Sequence, residues 1–306
     1  MEKLKIALDW TPNTNHTGLF VASEMGFYQE QNIDLSIISP ANDNYSVTPA
    51  KKLELGQVDF AIVPTESLFS LLLKENSVEV KGVYTILQED TSAIVTLKSS
   101  GINRPKELDS KVYASFKARY EDKIVQQMIV NDGGKGEIII EYPEKLGIWE
   151  TILAQKSDAS WIFKAWEGIE AQTQGVELNE FSLKDYGIPY GYSPLIIAKS
   201  SDIETKSEAF KNFVTATKKG YLFAQNNPER AVEILSKYVP KRDLDKINVL
   251  KSQVYLNEFY GNENNIGKME ASVFQIFIDW LFENGILEKR LSANDIFINL
   301  SNQTNP

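Results

Sequence analysis

The chain has 306 residues, 42% hydrophobic and 24% charged, with a formal net charge of −10. That is the balance of a soluble globular protein long enough for two domains, each burying its own core. The acidic charge and the lack of a polybasic stretch argue against nucleic acid or an anionic membrane surface as partner. With no cysteine and one histidine, disulfides, thiol chemistry and histidine-rich metal clusters are excluded.

In chain order, Leu4 to Leu8 reads as a short buried strand and Leu19 to Met25 as a helix that Gly26 can stop. Between them lies Asp9-Trp10-Thr11-Pro12-Asn13-Thr14-Asn15-His16-Thr17-Gly18. Helix capping and a proline turn account for part of this loop, but not for Asp9 and Trp10. A strand-to-helix loop of an α/β protein sits at the carboxyl edge of the sheet, where ligands bind.

Ile33 to Ile38 predicts a second strand. A helix follows from Thr48-Pro49 to Leu55, then a strand over Val58 to Val63 and a leucine-rich helix over Leu68 to Leu73. This alternation predicts a parallel, doubly wound sheet. Val80 to Leu87 and Ala93 to Leu97 are further strands, separated by Gln88-Glu89-Asp90-Thr91-Ser92.

The pattern then restarts. Lys111 to Ser115 reads as a strand, Phe116 to Glu121 as a polar and aromatic turn, and Asp122 to Val130 as a helix. Gly133-Gly134-Lys135-Gly136 lacks a phosphate loop's spacing and follows a helix, so it reads as a connection to the strand Glu137 to Tyr142. A helix over Leu146 to Gln155 and a strand over Asp158 to Phe163 follow. Asp59 and Asp158, 99 positions apart (158 − 59), occupy the same place in successive helix-turn-strand units. This weak echo predicts two similar α/β lobes. After Tyr186 to Pro194 the strand Leu195 to Ala198 returns to the other lobe, and helices over Ser207 to Gln225, Pro228 to Tyr238 and Ala271 to Asn284 complete it. The tail 300–306 is expected to fray.

The pieces Leu8 to Gly18, Gly26-Phe27-Tyr28, Gly56-Gln57-Val58-Asp59-Phe60 and Trp166-Glu167-Gly168, in that order, resemble a type II periplasmic solute-binding protein. Such a protein is the ligand-capturing component of an ABC importer, and the resemblance spans nearly the whole chain. More narrowly, the chain is similar to the branch of thiamine-pyrimidine-precursor binding proteins and fungal thiamine-pyrimidine synthases. The resemblance implies a two-lobed α/β fold of two doubly wound sheets joined by two crossover segments, near Leu87–Ser92 and Tyr186–Pro194. Residues 1–89 plus 195–306 would form one lobe and 90–194 the other, closing on a ligand by hinge motion.

In relatives that bind aminopyrimidines, aromatic rings sandwich the heterocycle and carboxylates read its edge. The resemblance therefore points to Asp9, Glu66 and Glu167 as carboxylates, and to Trp10, Trp166, Tyr190 and Tyr192 as ring faces. Asn13, His16, Arg119 and Tyr120 complete the expected ligand-binding set, Arg119 as a holder of an anionic group or as a solvated charge. His16 is expected as a hydrogen-bonding residue at a helix start, not as a catalytic base.

The implied partners are an aminopyrimidine-like small molecule and an ABC permease, with the protein monomeric and without cofactor. A cytosolic enzyme or sensor of thiamine-pyrimidine biosynthesis is the alternative. However, where the synthases carry a cofactor-holding lysine and a sacrificial histidine, this chain has Val63 and Ser67, and the synthases' cysteine-rich patch is missing. The start Met1-Glu2-Lys3-Leu4-Lys5 has no apolar leader segment. The expected location is cytoplasmic if Met1 is the native start, and periplasmic or lipid-anchored if a leader was removed.

Overall fold

The computed structural model describes residues 1–75 and 78–300. Ten strands follow in chain order: β1 (Glu2–Ala7), β2 (Ile33–Ile38), β3 (Phe60–Val63), β4 (Val80–Thr85), β5 (Ser92–Leu97), β6 (Val112–Ala114), β7 (Ile139–Glu141), β8 (Ala159–Phe163), β9 (Leu178–Phe181) and β10 (Leu195–Lys199). They form two five-stranded sheets, ordered β2-β1-β3-β10-β4 and β7-β6-β8-β5-β9. The chain passes from the first sheet to the second after β4 and returns before β10, where the two crossovers were expected.

Each sheet is mixed, which corrects the purely parallel expectation. β1 runs parallel to β2 and β3, whereas β10 is antiparallel to β3 and β4. In the second sheet β6 is parallel to β7 and β8, and β5 is antiparallel to β8 and β9. Strand direction depends on how the chain re-enters a sheet, and a hydrophobic run has no direction of its own. The strand Leu178–Phe181 and the helix Val249–Asn257 were not anticipated, and the expected starts at Val58 and Asp158 fall just before their strands.

Alternation along β1 decides its two faces. Leu4 and Ile6 join Leu8 in a core with Leu19, Phe20 and Val21, while Ala7 faces a second core with Ala61 and Val63. The helix Ser207–Asn226 covers the first core, where Phe213 stacks on Phe60 at 4.0 Å between centroids. Here the backbones of two helices touch. A Cβ added to Gly220 would lie 2.0 Å from the carbonyl oxygen of Gly18, and one added to Gly18 would lie 2.3 Å from the Tyr221 ring. Gly18 therefore ends the opening motif as a packing residue.

The second sheet buries Ala93, Val95, Trp149, Ile152 and Ile162 on one face, while Tyr113, Ile124 and Met128 merge into the core shared with the first sheet. Among the described residues no helix is long and apolar enough to cross a membrane. Leu300 is buried in the first core, contrary to the expected fraying. The rest of that tail, 301–306, lies outside the described residues.

Candidate functional site

The carboxyl ends of β1, β3, β6 and β8 open onto one cavity of about 320 Å³ between the sheets. Doubly wound sheets place their ligands at this edge. The first sheet contributes Asp9, Trp10, Asn13, Val63, Glu66 and Ser67. The second contributes Phe116 to Arg119, Glu121, Trp161, Phe163, Trp166 and Glu167. Ser92, Tyr190 and Ser193 reach it from the crossovers.

The loop after β1 is locked by its own hydrogen bonds. Asn13 caps a short turn by accepting from the Asn15 amide at 2.9 Å, and the Asn13 amide donates to His16 Nδ1 at 3.2 Å. Because Nδ1 is an acceptor there, the imidazole proton sits on Nε2, which donates to Asp9 Oδ1 at 2.8 Å. His16 is fully buried behind the wall, so its work is to aim Asp9 at the cavity. The C-terminal third braces the loop from behind. Tyr260 and Tyr221 donate their hydroxyls to the carbonyls of Thr14 (2.7 Å) and Asn15 (2.6 Å).

One serine ties the two walls together. Ser252 Oγ, from the helix Val249–Asn257, donates to the Ala165 carbonyl beside Trp166 and therefore accepts from Thr14 Oγ1 at 2.7 Å. Trp166 and Glu167 sit on a π-helical turn, Lys164–Gly168, directly after β8. Such bulges commonly mark functional sites.

Two carboxyls in this cavity titrate near neutrality. Burial pushes Glu66 up to about 7, against a stabilising hydrogen bond from the Tyr190 hydroxyl at 2.5 Å. Burial pushes Glu167 to about 7 as well, although its Oε2 accepts from the Phe163 amide at 3.1 Å. A buried carboxyl favours its neutral form because the charge loses hydration.

Trp10 stands on the first wall with the edges of Tyr45 and Phe116 against it at 5.6 and 5.9 Å. Across the cavity Trp161 meets Tyr190 edge-on at 5.7 Å. Of the residues expected in the site, Asp9, Trp10, Asn13, Glu66, Arg119, Trp166, Glu167 and Tyr190 line this cavity. His16, Tyr120 and Tyr192 stand off its wall. Tyr120 lies under the Arg119 guanidinium at 4.9 Å. Tyr192 instead accepts from the Glu270 amide at 3.1 Å and packs on Phe274.

Reading the sequence missed Phe116, Trp161, Phe163 and Glu121. Trp161 and Phe163 had a usable signal, since residues two apart on a strand share a face. Among the described residues no group of three or more His, Asp or Glu side chains is arranged to hold a metal ion.

The family pattern described as NMT1/THI5 like matches residues 13–231, most of the chain. The chain belongs to the NMT1/THI5-like family. It is 22% identical to the formylaminopyrimidine-binding protein of Halalkalibacterium halodurans, covering 98% of this chain and 91% of that protein. It is 26% identical to the 4-amino-5-hydroxymethyl-2-methylpyrimidine phosphate synthase of Legionella pneumophila, over 78% of this chain and 74% of that one. The NMT1/THI5-like fold seen here overlays the alkanesulfonate-binding protein SsuA of Xanthomonas axonopodis pv. citri with a TM-score of 0.72, at 13% identity, covering 97% and 98% of the two chains. It also overlays a Candida albicans protein with the generic periplasmic binding protein fold, with a TM-score of 0.71 at 15% identity, covering 100% and 99%. The architecture is that of periplasmic binding proteins.

Proposed function

We propose that this NMT1/THI5-like protein captures a small planar nitrogen heterocycle of the aminopyrimidine class and hands it to an ABC-type importer. In this reading it works outside the cytoplasm as a monomer, with residues 1–89 plus 195–306 and residues 90–194 closing as two bodies on the ligand. The observation that carries the reading is the pair of cavity carboxyls, Glu66 and Glu167, each titrating near 7 and set among aromatic rings.

A neutral carboxyl donates to a ring nitrogen and accepts from the adjacent exocyclic amine. A carboxylate facing a protonated ring makes the same two bonds, strengthened by charge. Tryptophan faces supply the stacking energy a flat heterocycle seeks. The name of the Halalkalibacterium relative supports the ligand class, and the solute-binding neighbours support capture. Synthase chemistry finds less support. The end of β3 and the segment after it present Val63, Glu66 and Ser67 to the cavity, without an amine or imidazole.

Titration calorimetry against aminopyrimidines, flavins and alkanesulfonates tests the assignment. Saturable binding of an aminopyrimidine is expected, weakened about tenfold or more in Trp10→Ala, the scale of a lost aromatic anchor. Failure to bind any planar heterocycle would overturn the ligand class.

A further inference from the structure

The turn after β6 is built like a receptor for an anion. Lys117 and Tyr120 adopt left-handed backbone conformations, φ +58° and +65°, and the helix Glu121–Asn131 starts immediately behind. Two amides of the turn, those of Phe116 and Ala118, converge on one point while the Lys117 amide between them donates to Ser115 Oγ at 3.0 Å, and a helix start adds partial positive charge. Two cations stand on the same stretch of cavity wall. The Lys117 ammonium lies over the Tyr142 ring at 5.3 Å and the Arg119 guanidinium over Tyr120. Neither is among the ion pairs formed by the described residues.

The point of convergence is already filled by the chain itself. Glu121 is 3% exposed and lines the cavity. Its Oε1 accepts from the Phe116 amide at 3.1 Å and the Tyr113 hydroxyl at 2.8 Å, and its Oε2 accepts from the Ala118 amide at 2.9 Å. A carboxylate that takes two amides and a hydroxyl is placed as a ligand's phosphate or sulfonate would be.

We propose that Glu121 is an internal substitute for a ligand anion and makes the cleft selective for uncharged or cationic ligands over phosphorylated or sulfonated ones. The proposal deepens the aminopyrimidine reading by setting the charge of the accepted ligand, and rests on that reading for the ligand's identity. The selection has two parts. The turn's amides are saturated, so an incoming anion finds no backbone donor there to replace its water. Burial raises the Glu121 carboxyl above its ordinary range, so the second part acts where it is ionised, and there its charge, with Asp9 also on the cavity wall, repels an anion. Lys117 and Arg119 would hold an anion only after the carboxylate is removed.

The test uses inorganic phosphate as probe, so it does not depend on which heterocycle binds. Calorimetry at low ionic strength should show no saturable phosphate binding by the native protein. Glu121→Ser, with circular dichroism showing it folded, should gain about tenfold or more in phosphate association constant, the scale of one or two charge-assisted hydrogen bonds. Adding Lys117→Ala and Arg119→Ala should remove the gain. A folded Glu121→Ser that binds phosphate no better than the native protein overturns the proposal, as does saturable phosphate binding with Glu121 in place. If the serine variant does not fold, Glu121→Gln carries the same comparison, since it keeps one acceptor and loses the charge. Unchanged phosphate binding there is equally decisive against it. Loss of the aminopyrimidine reading alone would leave both phosphate outcomes legible.

Discussion

In the first sheet Asp59 grips β1 twice: its amide donates to the Lys5 carbonyl at 2.9 Å and its carboxylate accepts from the Lys5 amide at 2.8 Å. In the second sheet Asp158 grips Val112 by the same two bonds, both at 2.8 Å. The strand orders match as well, with two parallel pairings on one side and antiparallel neighbours on the other. In each sheet the strand after this aspartate runs into a cavity glutamate, the buried Glu66 in one and the half-buried Glu167 in the other.

The loops after β1 and β6 do not match. The first is braced from more than 200 residues away, by Tyr221, Ser252 and Tyr260. The second is held locally by Glu121, Ser115 and Asp122. Sheet mechanics keeps the frame the same in both halves, whereas the cavity's chemistry lies in loops that the frame leaves free to vary.

The sharpest way to break the comparison is at the helix contact of Gly18 with Gly220 in the first half. Gly220→Ala forces a Cβ into the Gly18 carbonyl and should cost about 3 kcal/mol or more in urea unfolding, at the upper end of overpacking. A loss below 1 kcal/mol would show that the helices separate without penalty.

The two glutamates offer a test of the symmetry itself. Each has a folded pKa near 7, raised above the unfolded value of about 4.5. Its contribution to stability is therefore fully present below 4.5 and is lost as pH rises through 7. Glutamine does not titrate, so Glu66→Gln should gain stability relative to the native protein across that window, by up to about 3 kcal/mol at pH 8. Glu167→Gln should follow the same curve at smaller amplitude, because the side chain is only half-buried. Melting temperatures between pH 5 and 8 check both, and a flat difference for either removes that carboxyl from the pair.

The smallest effect sharpens the frame. Asp158→Ala should cost about 1 kcal/mol, and Asp59→Ala about 2, because Asp59 also accepts from Lys206 Nζ at 2.7 Å. Equal costs would assign the whole effect to the strand anchor and none to the lysine.

Much of this was legible in the residues. Asp59 and Asp158 announced two like halves because each is part of a local helix-turn-strand pattern. The loop from Asp9 to Gly18 stood out because its polar and aromatic content exceeds what a turn requires. Tyr190 and Tyr192 were indistinguishable by the same reading, since two residues apart in an irregular crossover carry no periodicity that assigns them to a face. Glu121 looked like the end of a turn, because its amide and tyrosine partners become visible only when the backbone curls at Lys117 and Tyr120.

The sequence by itself determined the alternation of strands and helices, the duplicated architecture and the edge at which the cavity opens. These follow from hydrophobic period and chain order, which act over a few residues. The tertiary structure alone decided the antiparallel entry of β5 and β10, the role of Gly18 against Gly220, and the bracing of His16 and Asp9 from the C-terminal third. It also decided which carboxyls face the cavity and which one fills the anion-shaped turn. Each of these is a contact between groups brought together by folding, and its energy depends on distance and burial that no local pattern encodes.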